Sequence, residues 1–133
     1  MSGPFQAGDE IEVSVIARLG HNIALEITNP REEPTGRFEA LEGRDKIKYA
    51  IKKLYRIAAN DRVMGSHRES FLATNVKESV QELGEQLNRA GGMPAMWMAY
   101  YGFNRIGVRD GVEQPGDLAH LNIAWDGIGE WQY

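Results

Sequence analysis

The sequence predicts an α+β fold, a single domain in which an antiparallel sheet packs with two helices in the approximate order ββ(β)ααββ. Three observations lead to this prediction. Hydrophobic residues alternate with polar ones near both ends of the chain, as in half-buried strands. Two central segments repeat their hydrophobic residues every three or four positions, as in helices. No strand–helix–strand alternation is available to build a parallel sheet, so an antiparallel one is expected.

The N-terminal part of the chain is predicted to form a β-hairpin. Over residues 10–18 every second residue is hydrophobic, and residues 19–22 supply the glycine and asparagine of a tight turn. The alternation resumes over residues 23–27. Residues 30–36 are rich in turn-forming residues. Residues 37–41 are then interpreted as a short third strand.

Two helices are predicted in the middle of the chain. Over residues 44–60 the hydrophobic residues recur at spacings of four, three and four. A second helix is predicted to begin at Asn75, where Glu78 stands in capping-box position. Residues 91–94, Gly-Gly-Met-Pro, are predicted to end this helix, because glycine forms left-handed caps and proline does not continue a helix.

The C-terminal part is predicted to complete the sheet. Residues 95–103 are hydrophobic on both sides, which is typical of a central strand. Residues 104–116 are rich in glycine, aspartate and asparagine, with Asp110 and Gly111 as a turn. Residues 117–126 alternate again and are interpreted as the last strand. We therefore expect all 133 residues to form one domain.

The composition argues against several classes of protein. There is no cysteine, which excludes disulfides and thiolate sites. No signal peptide or membrane-spanning stretch is recognisable, so a soluble, cytoplasmic protein is expected. The three histidines lack metal-ligand spacing, and no phosphate-loop or dinucleotide motif occurs. We therefore predict no metal and no cofactor, and we favour binding over catalysis while leaving an unrecognised active site open.

Charge is distributed unevenly along the chain. Residues 36–68 hold nine of the fifteen basic residues and only four acidic ones, a net charge of +5, whereas the remainder carries −9. Basic residues recur every fourth position of the predicted helix over residues 44–60, so one of its faces is positive. Such a face attracts anions.

The predicted binding site combines this basic face with aromatic residues for stacking and arginines for phosphate. Its residues are Arg44, Lys48, Lys52, Arg56, Tyr55, Phe38, Tyr101, Phe103, Arg105 and Arg109. Whether residues 101–109 meet the basic helix is left open. The alternative interpretation is an ordinary solvated helix face, neutralised by acidic segments of the same chain or of a neighbouring subunit.

These patterns predict a small non-enzymatic binding protein that captures an anionic small molecule of the nucleotide type, as a sensor or a sequestering protein. Two alternatives stay open: a protein-interaction module of the inhibitor or immunity type, and short-RNA binding. The overall charge of −4 disfavours general nucleic-acid binding. Because methionine, tryptophan and tyrosine are concentrated near the C-terminus, we also expect a homo-oligomer.

Overall fold

The computed structural model describes residues 10–34, 36–63, 71, 76–112 and 117–131. Within these ranges the chain is helical and contains no strand. Its elements are α1 (Glu10–Leu25), a 3-10 helix (Phe38–Ala40), α2 (Arg44–Val63), α3 (Lys77–Arg109) and α4 (Asp117–Trp125). The predicted α+β fold with an antiparallel sheet is therefore wrong, and the reasons differ from one segment to the next.

The predicted N-terminal hairpin is wrong because this segment forms α1. The same residues that alternate also place a helical stripe on one side of α1 and its C-terminal extension, and this stripe is buried: Ile16, Gly20, Ile23, Ala24 and Ile27. Burial of that stripe outweighs the preference of β-branched residues for strands. Gly20, which suggested a turn, is a packing residue in the interior of the helix.

The predicted third strand at residues 37–41 is also wrong, because the segment forms a single 3-10 turn. The N–H of Ala40 donates to the carbonyl oxygen of Arg37 at 3.0 Å, and the N–H of Leu41 donates to that of Phe38 at 3.1 Å. The Phe38 side chain is buried in the core. The turn therefore anchors the loop that leads into α2.

The helix predicted over residues 44–60 is confirmed as α2, which runs from Arg44 to Val63. Its hydrophobic stripe is buried: Ile47, Ala50, Ile51, Leu54 and Ala58. Gly43, with φ of 50°, precedes the helix. The basic residues of α2 lie beside the buried stripe, as the sequence pattern indicates.

The predicted end of the second helix at residues 91–94 corresponds to a break within α3. Gly92 has φ of 67° and ψ of −158°, a combination that is essentially restricted to glycine. Pro94 lies in the first turn of the second half, where its missing N–H costs no intrahelical hydrogen bond. The cap predicted at Asn75 lies outside the described residues.

The predicted central strand over residues 95–103 is wrong, because these residues form the second half of α3. They are hydrophobic on several sides since the helix is enclosed by α1, α2 and residues near the C-terminus. A fully buried helix and a fully buried strand give the same hydrophobic run in a sequence. The last predicted strand is wrong because of the same ambiguity. Its residues form α4, in which Leu121, Ala124 and Trp125 are buried.

Two glycines bring three helices into close contact. A Cβ atom on Gly20 of α1 would lie 2.6 Å from the carbonyl oxygen of Met98 in α3. A Cβ atom on Gly102 of α3 would lie 2.3 Å from Cδ1 of Ile51 in α2. Real Cβ contacts do not come this close. The Gly20 contact is with backbone, so this position requires glycine at the present helix separation, whereas at Gly102 the Ile51 side chain would have to shift.

In the part of the chain that the structure describes, no helix combines the length and apolar character that crossing a bilayer requires. Helix α2 is one example: it is long, but basic residues recur along its length.

Candidate functional site

The predicted basic face lies along α2, and much of its charge is neutralised within the chain. Glu26, which directly follows α1, forms ion pairs with Arg44 and, at 2.9 Å, with Lys48. Lys52 lies 3.2 Å from a carboxylate oxygen of Glu32. The hydrogen bond from Lys48 is the main reason that the pKa of Glu26 lies below its ordinary value. These ion pairs agree with the alternative interpretation, in which acidic residues of the same chain neutralise the basic face.

A second cluster connects the end of α3 to α2. The hydroxyl of Tyr55 donates to Oδ2 of Asp110 at 2.9 Å. Arg109 donates to the same carboxylate through Nε at 2.6 Å and Nη2 at 2.9 Å. The Arg31 guanidinium lies 5.7 Å from the centre of the Tyr55 ring, and Arg56 donates to the Arg31 carbonyl oxygen at 2.6 Å. The Arg109 end of the 101–109 segment therefore meets the basic helix, through Asp110 and Tyr55.

This cluster shifts two pKa values in opposite directions. Hydrogen bonds from Arg109, the larger cause, and from Tyr55 lower the pKa of Asp110. Burial, followed by the hydrogen bond to Asp110, raises the pKa of Tyr55. A lowered carboxyl pKa stabilises the fold above the ordinary pKa of aspartate, and this stabilisation is lost as the pH falls through the folded-state value.

Replacing Tyr55 with phenylalanine is expected to lower the free energy of unfolding by about 1 kcal/mol at neutral pH, because one hydrogen bond to Asp110 is lost. The pKa of Asp110, followed by NMR, should rise but stay below its ordinary value, since Arg109 still donates two hydrogen bonds. Tyr49→Phe is the matched control, because the Tyr49 ring packs edge to face on Phe38, with ring centres 5.7 Å apart, and the substitution keeps that ring contact. Equal losses in both variants, measured by urea denaturation, would contradict the prediction.

The predicted aromatic residues have different environments. Phe38, Tyr55 and Phe103 are 4%, 2% and 0% exposed, so their rings belong to the core. Tyr101 is half-buried and stacks on Trp97 with ring centres 5.6 Å apart. Only Tyr101 among the four therefore retains a partly exposed ring.

The exposed Arg105 belongs to the side of α3 that faces α1. Its charge, added to the larger effect of burial, lowers the pKa of His21. The His21 ring contacts Tyr101 edge to face with centres 6.3 Å apart. Tyr101 and Arg105 thus lie beside α1, whereas Tyr55 and the paired cations belong to α2.

A pocket of about 360 Å³ opens at the N-terminal end of α2, where α1 and the break in α3 also meet. This volume is within the range of about 300–1,000 Å³ that is usual for small-molecule sites. Its apolar lining is aliphatic and comes from three helices: Leu19, Ile23, Ile47, Leu87, Ala95 and Met98. Arg44 and Lys46 supply its two positive charges.

Lys46 lies between this pocket and a smaller one. The smaller pocket, of about 160 Å³, has a mixed lining: Phe38, Glu39, Lys46, Gln86, Arg89 and Ala90. Lys46 Nζ donates to the carbonyl oxygens of Phe38 at 3.0 Å and Glu39 at 3.5 Å, and it lies 4.6 Å from the centre of the Phe38 ring. An ammonium group has three donor hydrogens, and these contacts among the described residues use two of them, which leaves one for a ligand.

Lys46 differs from its neighbours on α2 in what it contacts. Among the described residues, the carboxylates that pair with Arg44, Lys48 and Lys52 do not reach Lys46. The sequence places Lys46 on the flank of the basic face, where it has the same residue type as several neighbours. Its position just after Gly43, in the first turn of the helix, was the available signal.

No three histidine, cysteine, aspartate or glutamate side chains in the described ranges lie close enough together to hold a metal ion. The larger pocket offers cations beside a hydrocarbon surface.

Comparisons of the chain with protein-family models, with curated proteins and with solved structures find no match. No relative supplies a function by analogy. The side chains around Lys46 and the shape of the pocket that they line are therefore the basis for assigning a function.

Proposed function

We propose that this chain is a non-enzymatic binding protein for a small anionic molecule, which it holds at the N-terminal end of α2. One observation carries the proposal: Lys46, a partly buried cation bonded to carbonyl oxygens, lies at the junction of two pockets. An anion placed there would gain a charge-assisted hydrogen bond. The ligand would occupy the larger pocket with its apolar part.

The electrostatics of the helix end support this placement. The N-terminus of a helix carries a partial positive charge, and α2 is 20 residues long. Arg44 adds a second positive charge at the rim of the pocket, although this charge is paired with Glu26. Lys46 therefore acts together with a helix dipole and a partly neutralised guanidinium.

The rest of the predicted site is less favourable for an anion. A ligand at Lys48 or Lys52 would have to displace Glu26 or Glu32. Such exposed ion pairs are weak, so displacement is possible but reduces affinity. The buried rings of Tyr55 and Phe103 offer no surface for a nucleobase. The nucleotide type of ligand stays a prediction, and we do not include base stacking in the proposal.

Replacing Lys46 with glutamine is expected to weaken binding of an anionic probe about tenfold or more, because a charge-assisted hydrogen bond is lost. Suitable probes are 8-anilino-1-naphthalenesulfonate, AMP, cyclic AMP, ADP-ribose and a short RNA, each titrated by fluorescence or calorimetry. Lys53→Gln is the matched control, because Lys53 is an exposed lysine of the same helix whose Nζ lies 5.7 Å from the centre of the Tyr49 ring.

The proposal fails if no probe binds, or if both lysine variants bind every probe as the original chain does. Binding of RNA alone, with a steep salt dependence, would favour the RNA alternative instead. Light scattering of the purified protein measures its oligomeric state. The homo-oligomer and the cytoplasmic location stay predictions from the sequence.

A further inference from the structure

We infer that the ligand class of this site is an unbranched aliphatic monocarboxylate, with its hydrocarbon chain in the larger pocket and its carboxylate on Lys46. The inference rests on the proposed function and adds the chemical class and the orientation of the ligand. It depends on three features: the lining of the pocket, the bonding of Lys46 and the volume available.

The lining of the larger pocket suits a hydrocarbon chain. Its described apolar side chains are leucine, isoleucine, alanine and methionine, and none of its described residues is aromatic. A nucleobase is usually held by stacking on a flat ring, which this lining does not offer. Flexible aliphatic side chains, methionine in particular, adapt to a chain of methylene groups. Burial of such a chain is favourable in proportion to its apolar area.

The bonding of Lys46 favours a single negative charge over a phosphate. Two of its donors already serve the carbonyl oxygens of Phe38 and Glu39, so a single donor remains. Phosphate is typically bound by the two-pronged guanidinium of arginine. The Arg44 guanidinium at this rim already contacts Glu26. The remaining ammonium donor of Lys46 can therefore bind one carboxylate group.

The volume of the pocket sets an approximate chain length. A methylene group is close in size to a water molecule, whose share of liquid volume is about 30 Å³. A pocket of about 360 Å³ therefore accommodates on the order of ten methylene groups. Leu19, which is 41% exposed, lies at the rim, so the chain has a route from solvent into the pocket.

The test is calorimetric titration of the full chain with decanoate, below the concentration at which it forms micelles. Saturable binding of one decanoate per chain is expected, about tenfold or more tighter than binding of 1-decanol or methyl decanoate, which lack the charge. Hexanoate should bind more weakly than decanoate, because it buries less hydrocarbon.

Two aspartate substitutions on α1 provide a matched pair. Leu19→Asp places a carboxylate at the rim of the pocket and is expected to weaken decanoate binding about tenfold or more. Val15 lies one turn before Leu19 on α1 and is about as exposed, 42% against 41% for Leu19, but it is outside the described lining of the pocket. Val15→Asp is therefore expected to change the affinity for decanoate less than about twofold. Circular dichroism shows whether both variants are folded, and Lys46→Gln gives a second, independent loss.

The outcomes separate the two proposals. If decanoate does not bind while another anion binds in a Lys46-dependent manner, the carboxylate class is wrong and the proposed function stands. If Leu19→Asp and Val15→Asp have equal effects, or if 1-decanol binds as tightly as decanoate, the inferred orientation is wrong. If no anion shows dependence on Lys46, both proposals fall.

Discussion

Replacing Trp125 with alanine is expected to lower the free energy of unfolding by about 3–5 kcal/mol. Trp125 is fully buried, and its indole N–H donates to the carbonyl oxygen of Val80 at 2.9 Å. Its ring meets Trp131 edge to face with centres 5.1 Å apart. A Cβ atom on Gly84 would lie 2.7 Å from the indole, so the ring rests directly on the backbone of α3.

The cost is large because Trp125 joins α4 to the first half of α3 through both packing and a hydrogen bond. Typical domains have about 5–15 kcal/mol of stability in total, so the loss would be a major fraction of it. Trp125→Phe is the control, since it keeps an aromatic ring but removes the indole donor to the Val80 carbonyl oxygen. It should lose less than the alanine variant in urea denaturation. A loss below about 1 kcal/mol for alanine would contradict this account.

Replacing Gly20 with alanine should also destabilise the fold, by about 1–3 kcal/mol. The added Cβ atom would lie 2.6 Å from the Met98 carbonyl oxygen and 3.3 Å from the Gly102 nitrogen. These are backbone atoms of α3 that cannot rotate away, so α1 and α3 would have to separate. Alanine is the better helix former by about 1 kcal/mol, which reduces the loss but does not reverse it.

Asn22→Ala is the matched control for this substitution. Asn22 is an exposed residue of the same helix, and alanine has the higher helix propensity there. The control should therefore leave the melting temperature unchanged or raise it slightly, whereas Gly20→Ala should lower it by several degrees. A rise in both variants would mean that α1 and α3 tolerate a wider separation than their contact indicates.

The fold was predictable where one periodicity dominates the sequence. α2 has a single hydrophobic stripe of helical spacing, and the glycines before Pro94 mark the break in α3. α1 carries two periodicities at once, because Ile16 and Ile23 belong to the buried helical stripe while the neighbouring residues alternate. The local hydrophobic pattern of α1 does not distinguish which of the two is buried. The contact with α3 decides it.

The site was predictable in its residue types but not in its pairings. Helix α2 carries the predicted basic residues, yet Arg44 and Lys52 contact carboxylates 18 and 20 positions away. Such contacts depend on how the loop between α1 and α2 folds back, which no local pattern records. Lys46 differs from the other basic residues of α2 mainly through its neighbours in space, and the aliphatic pocket forms only where three helices pack together.

Glu26 and the two cations that it contacts form one electrostatic unit. If a mutation removes Glu26 alone, Arg44 and Lys48 are left four residues apart on one helix, where like charges repel by about 0.2–0.5 kcal/mol. Loss of one cation afterwards relieves that repulsion. The effects of substitutions at these three positions are therefore not additive, because a change at one of them alters the cost of a change at the others.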